Sequence, residues 1–242
     1  MANKQSHRGA HPNDVKLFHD RWLRRLRLAA RDFNYLLSRG YPDRSSLQLV
    51  GNRYRLNKRQ QKAMLRVCMS DEQLQQIKAN EVKTSQLEGQ VILIDGFNVL
   101  ITIESALSHA FLFEGRAGCY RDIASVHSTY RRVQETEKAF RIIGKHLKAL
   151  KPASVQWYLD SPISNSGRLA QFGRTIAEEC QFDWSFDLVA NPDKTIAERS
   201  GIAISSDTWV LAHSDRWFNL TRQIVDQLPA PPPVIRLYAE RA

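Results

Sequence analysis

Cysteine is scarce in this chain of 242 residues: Cys68, Cys119 and Cys180 stand singly and far apart. That spacing excludes a disulfide framework and a Cys-x-x-Cys metal site, so cysteine chemistry is not expected to carry the function. Long apolar runs are missing too. None approaches the length needed to cross a bilayer, and the polar start, residues 1–13, has no signal-peptide core; the sequence predicts a cytoplasmic protein with no membrane partner. Acidic residues are short in one place only. Residues 1–88 hold 18 Lys and Arg against 8 Asp and Glu, whereas residues 89–242 hold 17 of each, so the whole net charge of +10 lies in the first third. Such asymmetry predicts that the front segment meets a polyanion while the remainder does something else. An ordinary solvated basic face is the competing reading.

What is present is helical first. Phe18, Trp22, Leu26, Ala29, Phe33 and Leu36 recur at three- and four-residue spacing, the apolar stripe of one long helix over residues 14–38, with Arg21, Arg24, Arg27 and Arg31 opposite. Gly40 and Pro42 end it. Residues 45–56 read as a connection turning at Gly51-Asn52. Asn57 then caps a second basic helix over residues 58–69, Ser70-Asp71-Glu72 opens a third that fades by Asn80, and residues 83–89 form a linker. The expectation is a small all-α domain, residues 1–84, offering Arg21, Arg24, Arg59 and Arg66 to phosphates. The alternative is a helical cap packed on the next domain and carrying plain surface charge.

From residue 85 to residue 242 strand and helix alternate. Residues 91–94, four branched apolar positions, read as a strand buried on both faces that ends at Asp95-Gly96. A helix over residues 99–110 follows, then the harder stretch 111–120 and a helix closed by Pro152. A strand over 155–159 ends in Asp160, and a polar turn leads to a helix over 168–180. A strand over 183–190 precedes Asn191-Pro192-Asp193, the start of a helix over 194–199. Residues 202–204 form a short strand running through Ser205-Ser206 to Asp207. Helical stretches over 208–211 and 214–228 and an edge strand over 234–238 complete the chain. This alternation predicts an α/β fold, a mostly parallel sheet flanked by helices.

Asp95, Asp160 and Asp207 each lie just past a predicted strand, and Asp193 opens a helix between the last two. Parallel strands place their C-terminal ends on one edge, so these acids can converge. Clustered carboxylates raise one another's pKa unless a cation neutralises them, and Mg²⁺ or Mn²⁺, hard ions that take oxygen ligands and keep water, are the economical partners. Such a site suits phosphodiester hydrolysis. Taken singly, Asp95 and Asn98 read equally well as helix caps.

Together, Ile94-Asp95-Gly96-Phe97-Asn98, Tyr158-Leu159-Asp160, Asp193 at a helix start and Ser205-Ser206-Asp207 resemble the PIN-like nuclease superfamily, most of all its NYN branch, over about residues 90–215. The resemblance implies a metal-dependent ribonuclease acting on RNA. By the same resemblance Asp95 and Asp207 are direct ligands of Mg²⁺ or Mn²⁺, Asp160 and Asp193 complete the site, and Asn98 orients substrate or water. The front segment, with Gly40-Tyr41-Pro42 and residues 50–56, resembles a helical domain of unknown function joined to such PIN-like domains. The superfamily's acid on the helix after the first strand has no decisive counterpart among Glu104, Glu114 and Asp122. Asp122 is preferred because Arg121-Asp122 and residues 127–132 concentrate polar chemistry, although it also reads as a cap.

Ser161, Ser164, Asn165 and Ser166 are placed either to bind phosphate or, the preferred reading, to cap the helix at Arg168. Arg168 and Lys194 are candidate phosphate contacts by position alone, and His127 and Tyr130 read as structural. Two other functions compete. One is a catalytically inactive RNA-binding protein of the same fold; the other is a haloacid-dehalogenase-type phosphatase, which needs a second acid where Phe97 stands. The sequence leaves a homo-oligomer open.

Overall fold

The computed structural model describes residues 7–9, 11–124 and 128–238. The N-terminal region is helical, with α1 (Asp14–Leu17), α2 (Asp20–Ser38), α3 (Asp43–Arg53), α4 (Lys58–Val67) and α5 (Asp71–Asn80), followed by a 3₁₀ turn at Thr84–Gln86. The single helix expected over residues 14–38 is broken after Leu17. Phe18 turns inward against Phe113, ring centroids 4.7 Å apart, and the extended His19 starts α2 by accepting the Arg21 amide on its ring. The stretch read as a connection is helix α3. It has little apolar stripe of its own, and burial of Val50 and of Gly51 against Gln61 holds it in place. Helices α4 and α5 begin where expected, each with a reciprocal capping box, Asn57 with Gln60 and Ser70 with Gln73.

The remainder runs β1 (Val91–Asp95), α6 (Gly96–Leu107), β2 (Leu112–Glu114), β3 (Tyr120–Arg121), α7 (Thr136–Leu150), β4 (Ser154–Asp160), α8 (Ser166–Cys180), β5 (Trp184–Val189), α9 (Pro192–Ala197), β6 (Ile202–Ile204), α10 (Thr208–His213), α11 (Leu220–Asp226) and β7 (Val234–Arg236). Four strands form a parallel sheet in the order β5-β4-β1-β6, flanked by helices, so the α/β architecture is as expected. The stretch 111–120 supplies β2 and the start of β3. These join β7 in a second sheet, so the expected edge strand near residue 234 belongs there and not to the main sheet.

The last helix is shorter than its apolar spacing suggested. It begins at Leu220 because Trp217, fully buried, donates its indole N–H to the Ile77 carbonyl at 2.6 Å, while the adjacent backbone bonds Asn80 and Ala203. His127, read as structural, lies outside the described residues.

One apolar core fills the parallel sheet and its helices, with Phe140, Trp157, Trp184 and Phe186 in mutual ring contact. A second core joins Phe18, Leu26, Phe33 and Met64 of the helical region to Phe113, Ile123, Ile235 and Leu237. The basic helices therefore pack on the second sheet and share its interior. Among the described residues no helix is long and apolar enough to cross a membrane.

Candidate active site

Strand register sets where the acids stand. Asp95 is level with Tyr158 on β4, and Ile94 is level with Ile204 on β6, which brings Ser205 alongside Asp95. Asp160, the last residue of β4, therefore stands two residues beyond Asp95, about 7 Å farther along the strand direction, while Asp207 follows the end of β6 as the cap of α10. The chain leaves β1 for β4 and β5 on one side and returns to β6 on the other, so this edge is where the strand order reverses, the usual ligand crevice of open α/β sheets. Asp193, in the first turn of α9, joins from above, since α9 packs on both β1 and β4.

Asp95 resolves its own ambiguity. It stands at the start of α6 but makes no capping bond; its Oδ2 instead accepts from the Ser205 hydroxyl at 2.7 Å. Among the described residues it makes no ion pair. Burial, then the charge of Asp193, and more weakly Asp207 and Asp160, push its carboxyl up to about 8 against the Ser205 hydrogen bond. Burial with Asp207 and Asp160 takes Asp193 to about 6, and burial also raises Asp160. Asp207 behaves oppositely. Burial would raise it, but Arg121, the Trp209 amide and Arg66 together hold it below the usual carboxylate range. Its Oδ1 accepts from Trp209 at 2.9 Å and its Oδ2 from Arg121 at 3.0 Å, while its own amide donates to Ser205 Oγ at 3.0 Å. Asp207 is thus both a helix cap and a member of the acidic edge.

Two cations border these acids. Arg121, almost fully buried, belongs to β3, and Arg66 comes from the last turn of α4 in the basic helical region. Arg66 interacts electrostatically with Asp122, Asp207 and Asp95, yet it makes no hydrogen bond or ion pair among the described residues. The single Thr102 hydroxyl proton lies between the Asn98 carbonyl at 2.8 Å and Asp122 Oδ2 at 3.2 Å, which brings Asp122 next to the first turn of α6. Of the three acids weighed for that role, it is the one connected to the edge. Glu104 is buried among Arg8, Tyr130 and Thr136, and Glu114 pairs with Arg222 and Arg236. Tyr130 is structural, as expected.

Other expected site residues are employed differently. Asn98 Oδ1 accepts both the amide and the hydroxyl of Ser206, at 2.9 and 2.8 Å, so only its amide nitrogen is left for a ligand. Arg59 is bound by Asp14 through both nitrogens and by the Gly9 carbonyl, an ion pair that takes it out of the surface set. Arg21 and Arg24 are exposed on α2. Lys194 lies beside Glu198 on the surface, and Arg168 reaches Asn165.

The cap expected from Ser164 and Asn165 is absent. Asn165 takes a left-handed backbone conformation and donates to the Tyr130 carbonyl, while Ser164 bonds Ser128 and Tyr130 through its backbone; the Ser166 hydroxyl secures the turn by sharing its one proton between the Asp160 and Ile163 carbonyls. Phe97, where a dehalogenase-type phosphatase needs an acid, packs on Tyr130 at 5.3 Å. Arg121, Ser205 and Thr102 are the site residues that sequence reasoning did not assign a role; Ser205 carried a signal as part of Ser-Ser-Asp and Arg121 as part of Arg121-Asp122, whereas Thr102 carried none.

The donor set is all oxygen, which suits a hard divalent cation, and an unpaired buried carboxylate is the kind of group such an ion would relieve. Among the described residues no three His, Cys, Asp or Glu side chains stand close enough to share one ion. Mg²⁺ commonly binds through one or two carboxylates and completes its shell with water, so the residues fit an ion held by Asp95 and a neighbour.

A family model described as Domain of unknown function (DUF5616) matches residues 84–223, and one described as Protein of unknown function (DUF434) matches residues 25–80. An uncharacterized protein of Methanocaldococcus jannaschii is 29% identical over 189 residues, spanning 78% of this chain and 90% of that protein. No solved structure gives a significant match.

Proposed function

The chain belongs to the family described as Domain of unknown function (DUF5616), and we propose that it is a metal-dependent ribonuclease of PIN-like type, hydrolysing RNA phosphodiester bonds at the aspartate edge of the parallel sheet. The observation that carries this reading is Asp95, a buried carboxylate that makes no ion pair among the described residues and is acted on by the charges of Asp193, Asp207 and Asp160. A purely structural acid in that position would be paired or exposed, because an uncompensated buried charge is costly. The PIN-like motifs and the basic helical region support the same conclusion.

Asp95 and Asp207 would hold Mg²⁺ or Mn²⁺, with Asp160 and Asp193 adding negative charge around it. When bound, such an ion supplies charge stabilisation for phosphodiester hydrolysis. The protein's own groups do the positioning. Ser205 orients the Asp95 carboxylate, Arg121 holds Asp207 in place from its buried position, Arg66 would take a non-bridging phosphate oxygen, and the Asn98 amide nitrogen would donate to substrate or water.

A nuclease-free preparation supplied with Mn²⁺ is expected to cleave RNA, and Asp95→Asn or Asp207→Asn is expected to bring cleavage to background while sparing RNA binding. Intact RNA across Mg²⁺ and Mn²⁺ titrations, or equal cleavage by both variants, defeats the proposal. One observation favours a second reading, an RNA-binding protein without turnover: Asp207 is already engaged by Arg121. Binding by the wild type with no cleavage is its signature.

The arginines of the helical region separate by experiment. Deleting residues 1–84 would expose Phe113, Ile123 and Ile235, so point variants are the cleaner probe. Arg59→Ala strands the buried Asp14 and should cost on the order of 2 kcal/mol of stability with no change in the salt dependence of RNA binding. Arg21→Glu with Arg24→Glu should leave the urea midpoint unchanged and flatten the slope of log K against log salt by about 1 to 2.

A further inference from the structure

We propose that the exposed indole of Trp209 is a platform on which an unpaired base of the RNA stacks, making the substrate single-stranded beside the acidic edge. This deepens the ribonuclease reading and rests on it. Trp209 is 44% exposed, the most exposed tryptophan among the described residues, while Trp157 and Trp217 are fully buried. Its location is set by the site. Its amide donates to Asp207 Oδ1, so the bond that caps α10 holds the acid and the indole together.

Its orientation is set as well. The His213 ring stacks on it, centroids 4.2 Å apart and planes 19° from parallel, and the His213 Nδ1 is bonded to the Trp209 carbonyl at 2.8 Å. The pair is an aromatic surface beside Asp207, itself bound by Arg121, and the nearby Arg66 guanidinium makes no hydrogen bond or ion pair among the described residues. A strand whose phosphate meets Arg66 brings its base alongside the indole. Stacking needs the face of a base, which a duplex hides between neighbouring pairs, and base–aromatic stacking tolerates any sequence.

The test uses the full chain carrying Asp95→Asn, so that binding is read without turnover. The probes are a fluorescein-labelled RNA 12-mer and the same sequence as a blunt duplex, measured by anisotropy. Trp209→Ala should weaken single-strand binding about five- to thirtyfold and leave duplex binding unchanged, and Trp209→Tyr should restore most of the loss where Trp209→Leu does not. In the unsubstituted protein the single strand should also shield Trp209 from acrylamide quenching, a readout that does not depend on the folding of any variant. Equal single-strand affinity with Ala and Trp, equal losses on both probes, full rescue by Leu, or unaltered quenching overturns the inference. The two proposals part cleanly. RNA cleavage with no effect at Trp209 removes only the stacking, whereas a Trp209 effect without cleavage keeps the stacking and removes the ribonuclease.

Discussion

Asp95→Asn is expected to make the metal-free protein more stable while abolishing its activity. A carboxyl at about 8 in the folded chain, against an ordinary value of 3.8, means the folded state holds that proton more tightly than the unfolded chain does. The destabilising cost of ionising it is absent below about pH 4, grows as pH rises, and is complete above about pH 8. Asparagine stays neutral throughout. The variant should therefore match the wild type at pH 4 and exceed it at pH 9 by up to about 6 kcal/mol, a Tm difference of on the order of 10–20 °C for a chain of this size.

Mn²⁺ should raise the Tm of the wild type through mass action and leave the variant unmoved. Protons compete with the ion for Asp95 and Asp193, so ion affinity should rise between about pH 6 and about pH 8. Calorimetry across pH with and without Mn²⁺ checks all of this. A variant that is less stable at pH 9, or that keeps the Mn²⁺ shift, would falsify the assignment of Asp95 as an unpaired ligand.

Gly96→Ala is expected to be destabilising although it adds a single methyl group to a helix. The new Cβ would lie 2.7 Å from the Tyr158 carbonyl oxygen and 2.6 Å from Leu159 Cδ2. Leu159 can rotate away, but the carbonyl belongs to the backbone of the neighbouring strand, so β1 and β4 must separate at the end that carries Asp95 and Asp160. Alanine gains up to about 1 kcal/mol in helix propensity, whereas the forced opening costs about 2–4 kcal/mol. Overpacking wins, and the urea midpoint should fall with m unchanged. The Mn²⁺-induced Tm rise should shrink in the same variant, because the acids are no longer held in register. An unchanged midpoint would mean that this close approach is not the constraint on the strand–helix junction.

Much of the acidic edge was legible because its signals are local. A run of branched apolar residues that stops at Asp95, or a short apolar strand followed by Ser-Ser-Asp at Asp207, is visible within a few positions, and so are the boxes at Asn57 and Ser70. Other elements were hidden for definite reasons. Strands β2, β3 and β7 span two or three residues each, too short to show a period, and α3 has almost no apolar stripe. Trp217, Leu220 and Ile224 repeat at helical spacing, yet the backbone bonds around Trp217 overrode that propensity. Arg59 looked like its basic neighbours until Asp14, 45 residues earlier, claimed it.

By itself the sequence determined the alternation of strand and helix, the aspartates at the strand ends and the concentration of positive charge in the first third, since each depends on residue types within a few positions of one another. Tertiary structure alone decided that Asp160 stands beyond Asp95, that Arg121 meets Asp207, that Arg66 reaches the acids from the helical region, and that Trp209 is left open beside them. Strand register and packing between distant segments set those relations, and they decide both the burial that raises the Asp95 carboxyl and the identity of the charges around it.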